Sequence, residues 1–116
     1  MTETTKEESF NEIFGEAVDA AFASLGESAK GAVYWYITRE TGVEKKGLAS
    51  HVEVLAPALE AFFQKGSTII EMMILQQVSS RTGIVLPKEQ YGGFVDAVSR
   101  LSKAYDEGPR IRVRLH

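Results

Sequence analysis

The chain of 116 residues has no cysteine, three prolines, two histidines and a single tryptophan. Without cysteine there are no disulfides, no thiolate metal sites and no cysteine nucleophile, which fits a reducing compartment. Two histidines are too few for an imidazole metal cluster of normal spacing, and His51 is read as a surface residue at a helix start. No apolar run is long enough to span a bilayer. The opening MTETTKEES is polar and acidic, unlike a secretory signal, so the expectation is a cytoplasmic protein with no membrane partner. The chain also lacks a P-loop, G-x-G-x-x-G, H-E-x-x-H and G-x-S-x-G. No catalytic, cofactor-binding or metal-binding residue is therefore predicted, and no cofactor or enzymatic activity is expected.

What is present describes one helical domain. An apolar content of 44% and a charged content of 25% are enough for a real core without staples. The formal net charge of −3 argues against non-specific nucleic-acid binding. It is unevenly spread: residues 1–58 carry −5 and residues 59–116 carry +2.

Residues 1–6 are expected to be disordered. A first helix is predicted from about Glu7 to Leu25, because Phe10, Ile13, Phe14, Ala17, Val18, Ala21, Phe22 and Leu25 recur on one helical stripe. Ser9 and Glu12 offer a capping box, and so do Thr5 and Glu8. Glu12, Glu16 and Asp19 are read as its solvated outer face. A second helix runs from Glu27 or Ser28 to Glu40 or Thr41, stopped by Gly42, with Ala29, Ala32, Val33, Tyr36 and Ile37 inward. Tyr34, Trp35 and Tyr36 are consecutive, so they point about 100° apart and cannot share one core. At least one ring must be exposed, cover another helix or meet a partner.

Val43 to Ala49 reads as a linker with Lys45 and Lys46 solvated. One kinked helix is predicted from about His51 to Gln64, with Pro57 inside it and Leu55, Leu59, Phe62 and Phe63 inward. Gly66 to Gly83 reads as a central, buried helix, being apolar nearly all round. In it Thr68 and Glu71 have capping-box spacing. Glu71 is read either as that cap or as a half-buried carboxylate with a raised pKa, a polar handle. Pro87 looks like the start of a last helix, firm from Tyr91 through Phe94, Val95, Val98, Leu101 and Tyr105, and ended by Gly108-Pro109. The tail alternates: Arg110, Arg112 and Arg114 against Ile111, Val113 and Leu115. That is either a short strand with the three arginines on one face or a frayed basic terminus.

Two blocks carry a family resemblance. The first is Leu25-Gly26-Glu27-Ser28 with Lys30 and Val33-Tyr34-Trp35. The second is Leu59, Phe62-Phe63, Gly66 and Ile69-Ile70-Glu71. Over about Ala17 to Gly83 the chain resembles an archaeal family, the Nitrosopumilus-type output domain. It departs at Pro57 and at Gln64, where that pattern leads one to expect glycine or a small residue. The resemblance implies a helical module used as an output or interaction unit in archaeal signalling, with no established catalytic residues.

The sequence thus predicts an all-α fold of about five helices in an antiparallel bundle, as one domain over 7–109 with a basic tail at 110–116. The leading functional expectation is a non-catalytic interaction module acting as a homodimer or on another signalling protein, through Tyr34, Trp35, Arg110, Arg112 and Arg114. The alternatives are a nucleic-acid binder, using the tail arginines with Arg100 and Lys103, and a small-ligand sensor. The sensor's pocket would be walled by Trp35, Tyr36, Phe62, Met72 and Met73 with Glu71 as its handle.

Overall fold

The computed structural model describes residues 9–87 and 92–115, with side chains described as far as Glu107. It contains α1 (Phe10–Ala23), α2 (Glu27–Thr41), α3 (Val52–Phe63), α4 (Ser67–Thr82) and α5 (Phe94–Leu115). Two short 3₁₀ helices, Lys45–His51 and Gln64–Gly66, complete the order. The all-α bundle expected from the sequence is what the chain forms. No helix among the described residues is long and apolar enough to cross a membrane. The expected disorder of residues 1–6 and the capping role of Thr5 and Glu8 lie outside the described residues.

The helix ends follow from local chemistry. Ser9 caps α1: its Oγ accepts from the Glu12 amide at 3.2 Å, while Glu12 Oε1 accepts from the Ser9 amide at 3.0 Å. Gly42 and Gly83 end α2 and α4 in the left-handed conformation, each at φ 77°. The residue before each glycine reinforces the stop. Thr41 Oγ donates to Ile37 O and accepts from the Val43 amide, and Thr82 Oγ does the same between Val78 O and the Ile84 amide.

This matched ending belongs to a larger recurrence. Buried positions of the α1–α2 hairpin return at one constant offset in the α3–α4 hairpin: Phe14 and Leu55, Ala17 and Ala58, Val18 and Leu59, Val33 and Ile74, Ile37 and Val78. The α5 helix repeats the α1 stripe, with Phe94, Ala97, Val98 and Leu101 buried as Phe14, Ala17, Val18 and Ala21 are. Packing respects the repeat, since α1 lies on α4 as α3 lies on α2. The two hairpins are thus approximately interchangeable around one core.

Several expectations change. The centre of the bundle is α1, which contacts α2, α4, α5 and the Lys45–His51 segment. The α4 helix keeps an outward face, where Ile69 is 65% exposed. Periodicity alone could not separate these cases, because Ile69, Met72 and Met73 are as apolar as the core stripe. The supposed linker is largely a 3₁₀ helix that inserts Leu48, 1% exposed, into the core beside α1. Pro57 sits inside α3, as predicted. The Thr68–Glu71 cap does not form. The chain enters α4 directly from the preceding 3₁₀ turn, so Gly66 precedes the helix in a helical conformation with no side-chain cap. Gln64 in that turn has φ 55°, a region glycine occupies without strain.

At the other end, α5 begins at Phe94 and not at Pro87 as predicted: Pro87, Gly92 and Gly93 are not helical, both glycines having positive φ, while residues 88–91 lie outside the described residues. The helix continues through Gly108-Pro109 to Leu115, so the tail is not a strand. A strand needs an edge to satisfy its backbone groups, and the described residues contain none; a helix satisfies them internally.

Candidate functional site

Among the apolar groups that the fold leaves facing solvent are those on the outer face of α2. Its construction starts with Val33 and Ile37, one turn apart and both buried, which fix the rotation of the helix against the core. The three consecutive rings then separate as their helical spacing demands. Tyr34 turns toward α1 and meets Phe22 edge-on, ring centres 5.2 Å apart. Tyr36 turns toward α3 and lies 5.2 Å from the Phe62 ring. Trp35 is left pointing away from the core and is 62% exposed. The Arg39 guanidinium lies over its ring at 5.1 Å, a cation–π contact on the same face. Ser28, Gly31, Ala32 and Thr38 surround it, all exposed, so Ala32 belongs to this outer face and not to the inward stripe predicted for it.

Asp19 holds this helix in place. It accepts hydrogen bonds from Tyr34 Oη at 3.1 Å and Lys30 Nζ at 3.2 Å. Lys45 Nζ pairs with it at 2.8 Å, and also stands 5.2 Å from the centre of the Tyr34 ring. One carboxylate therefore ties α1, α2 and the Lys45–His51 segment together. The bond from Lys45 is the main reason its pKa lies below the usual carboxylate range, with Lys30 and Tyr34 adding to it against a partial cost of burial. Tyr34 responds in the opposite direction, raised first by burial and then by the neighbouring Asp19 charge. Asp19 is thus not the solvated group expected from the sequence, whereas Lys45 is exposed as expected but paired to it. That error has a clear source, since Asp19 is one helical turn from Glu16 and only the tertiary fold brings Lys30 and Lys45 to it.

The rest of the predicted outer face of α1 is also engaged. Glu12 completes the cap, and Glu16 pairs with Arg81 at 3.4 Å. With Asn11, Gly15, Glu44 and Lys46 these residues line an open hollow of about 700 Å³. Among the described residues no group of acids and histidines is arranged to hold a metal ion.

Glu71 is half-buried on the core-facing stripe of α4 and is not a cap. Burial raises its pKa, and the nearby Glu60 carboxylate adds to the effect. The repeat gives this pair a precise counterpart: Glu60 stands where Asp19 stands, and Glu71 stands where Lys30 stands. An ion pair in the first hairpin is thus a repulsive acid pair in the second. A carboxyl group with a raised folded pKa favours folding when protonated. That contribution is present below the ordinary glutamate range and is lost as pH rises through the raised value. Glu71→Gln is therefore expected to raise the melting temperature at pH 7 and to leave it unchanged near pH 3. Glu71→Lys, which sets an ammonium against Glu60, is expected to raise it further at pH 7. Both gains are screened by solvent and stay below about 1 kcal/mol. Thermal melts across that pH range check this, and a loss of stability at pH 7 in both variants contradicts it.

Arg110, Arg112 and Arg114 lie on a helical stretch and not on the strand predicted for them, and their side chains lie outside the described ones. Of the proposed sensor walls, Tyr36 and Phe62 pack on each other and Met73 packs against the core, while Trp35 faces outward. The 700 Å³ hollow lies elsewhere, along α1.

Comparison of the chain with protein-family models, with characterised proteins and with solved structures finds no match in any of the three.

Proposed function

We propose that this chain is a non-catalytic interaction module whose contact surface is the outer face of α2, centred on Trp35. The observation that supports this is the 62% exposure of the chain's single tryptophan on the face opposite Val33 and Ile37. Tryptophan is the residue most strongly enriched among interface anchors, and arginine is enriched beside it. Here both stand on one face, already stacked on each other, within a helix pinned on its inner side by the Asp19 network. A rigid helix presenting a fixed aromatic anchor binds with little entropy lost on ordering. The resemblance to Nitrosopumilus-type output domains supports placing such a module in archaeal signalling, where it acts by docking.

Site-specific cross-linking tests the surface. A photo-reactive amino acid replacing Thr38, on the rim of the Trp35 face, is expected to yield a defined adduct in cells of the source organism. The same group replacing Ser80, on the outward face of α4, is expected not to. Equal labelling from both positions, or none from Thr38, counts against the reading. Trp35→Ala is expected to abolish the adduct and to change stability by less than about 0.5 kcal/mol, because the ring is outside the core.

A further inference from the structure

We propose that the occupant of the α2 face is a second copy of this chain, docked as an antiparallel α2–α2 pair about a two-fold axis. This inference rests on reading that face as a contact surface, and it adds the identity and geometry of the partner.

Three observations lead to it. The first is Gly31. It has no positive φ, and a Cβ built on it meets nothing within 4 Å. Glycine weakens a helix interior, and nothing among the described residues requires one there. Close approach of a surface from outside accounts for it. The second is spacing. Trp35 and Gly31 are one turn apart on the same face, about 6 Å along the axis, with Val33 halfway between them. A two-fold axis at the level of Val33 sets each Trp35 ring against Gly31 and Ala32 of the other copy. The projection and the gap that receives it lie on one helix at matched distances from the axis, which is the requirement for a self-complementary contact.

The third observation is charge. Glu27 lies in the first turn of α2 and Arg39 in its last. An antiparallel pair brings the Arg39 end of each copy to the Glu27 end of the other, whereas a parallel pair sets like ends together. The remaining charges are turned aside: Lys30 is bound to Asp19, and Glu40 lines a hollow with Tyr36 and Pro57 on the α3 side. A 15-residue helix covers less than the roughly 800 Å² per partner typical of stable complexes, so the pair should be weak, with micromolar or weaker affinity.

Sedimentation and tryptophan fluorescence over about 1 µM to 1 mM read the equilibrium directly, because Trp35 is the only tryptophan. The mass is expected to move from 12.8 kDa toward twice that value while the emission shifts to the blue. Gly31→Gln separates folding from association: its melting temperature should be unchanged or higher, while dimerisation weakens at least tenfold. Glu27→Arg and Arg39→Glu should each weaken the dimer, and the double exchange should restore it toward the parent affinity. A monomer at the top of that range, with constant emission, overturns the inference. So does a Gly31→Gln chain that dimerises as well as the parent, or a double exchange no tighter than either single change. A Thr38 adduct to a different protein, with a monomer in sedimentation, removes the second copy and leaves the contact surface standing. A monomer with no Thr38 adduct removes both.

Discussion

Phe22→Ala is expected to destabilise the fold by about 3–5 kcal/mol, the cost of removing a large ring from a site that cannot collapse around the gap. Phe22 is fully buried near the end of α1 and touches two other elements at once. Its ring meets Tyr34 of α2 edge-on at 5.2 Å and Phe63 of α3 at 6.4 Å. Truncation therefore loosens the junction of three helices. For a domain of this size the melting temperature should fall by on the order of 15 °C. The loss also reaches the contact surface, because Tyr34 is one of the three groups that bind Asp19 and so set the rotation of α2. Self-association should weaken together with stability in Phe22→Ala, whereas Trp35→Ala should lose association alone. Denaturant melts compared with Val95→Ala, a change at an exposed position, provide the scale. A loss below about 1 kcal/mol would show that the α1–α2–α3 junction is not packed as described.

Leu48→Ala is expected to cost about 2–4 kcal/mol, close to the value for an interior leucine in a regular helix. The residue lies in a segment whose composition, with Lys45, Lys46 and Gly47 beside it, reads as a solvated connection. A leucine in such a connection would cost less than about 0.5 kcal/mol. The difference between the two outcomes is large enough for a single urea titration to decide. Because the same segment delivers Lys45 to Asp19, Leu48→Ala should also raise amide exchange over residues 43–51. The pH dependence gives a second signature. The lowered pKa of Asp19 means that its contribution is present above the ordinary aspartate range and lost as pH falls through its folded value. That acid-side loss should shrink in Leu48→Ala, where Lys45 is no longer held against the Asp19 carboxylate.

Much of the fold was legible because it rests on local rules. The stripe of α1, the Ser9–Glu12 cap, the glycine stops at Gly42 and Gly83 and the helix around Pro57 each depend on neighbours within a turn or two. The recurrence between the two hairpins was also present in the sequence. It was masked because most equivalent core positions share burial rather than identity, as with Phe14 and Leu55 or Val33 and Ile74. Two of the misreadings have one origin, a local pattern whose outcome depends on residues beyond it. Thr68–Glu71 has the spacing of a cap, but a cap needs an extended residue ahead of it, and the 3₁₀ turn at Gln64–Gly66 removes that. The tail alternates as a strand does, but alternation becomes a strand only where an edge exists to pair with.

By itself the sequence determined that the chain forms amphipathic helices, roughly where each one stops, and that Tyr34, Trp35 and Tyr36 could not share one core. Those are consequences of the helical step and of backbone chemistry, which act within a few residues. Which ring would face solvent was decided only by the tertiary structure. Phe22 and Asp19 came to one side of α2 and Phe62 to the other, all from outside the helix itself. Those contacts used Tyr34 and Tyr36 internally and left Trp35 on the surface. The same long-range packing gave Lys30 a carboxylate to neutralise and gave Glu71, at the equivalent place, another carboxylate instead.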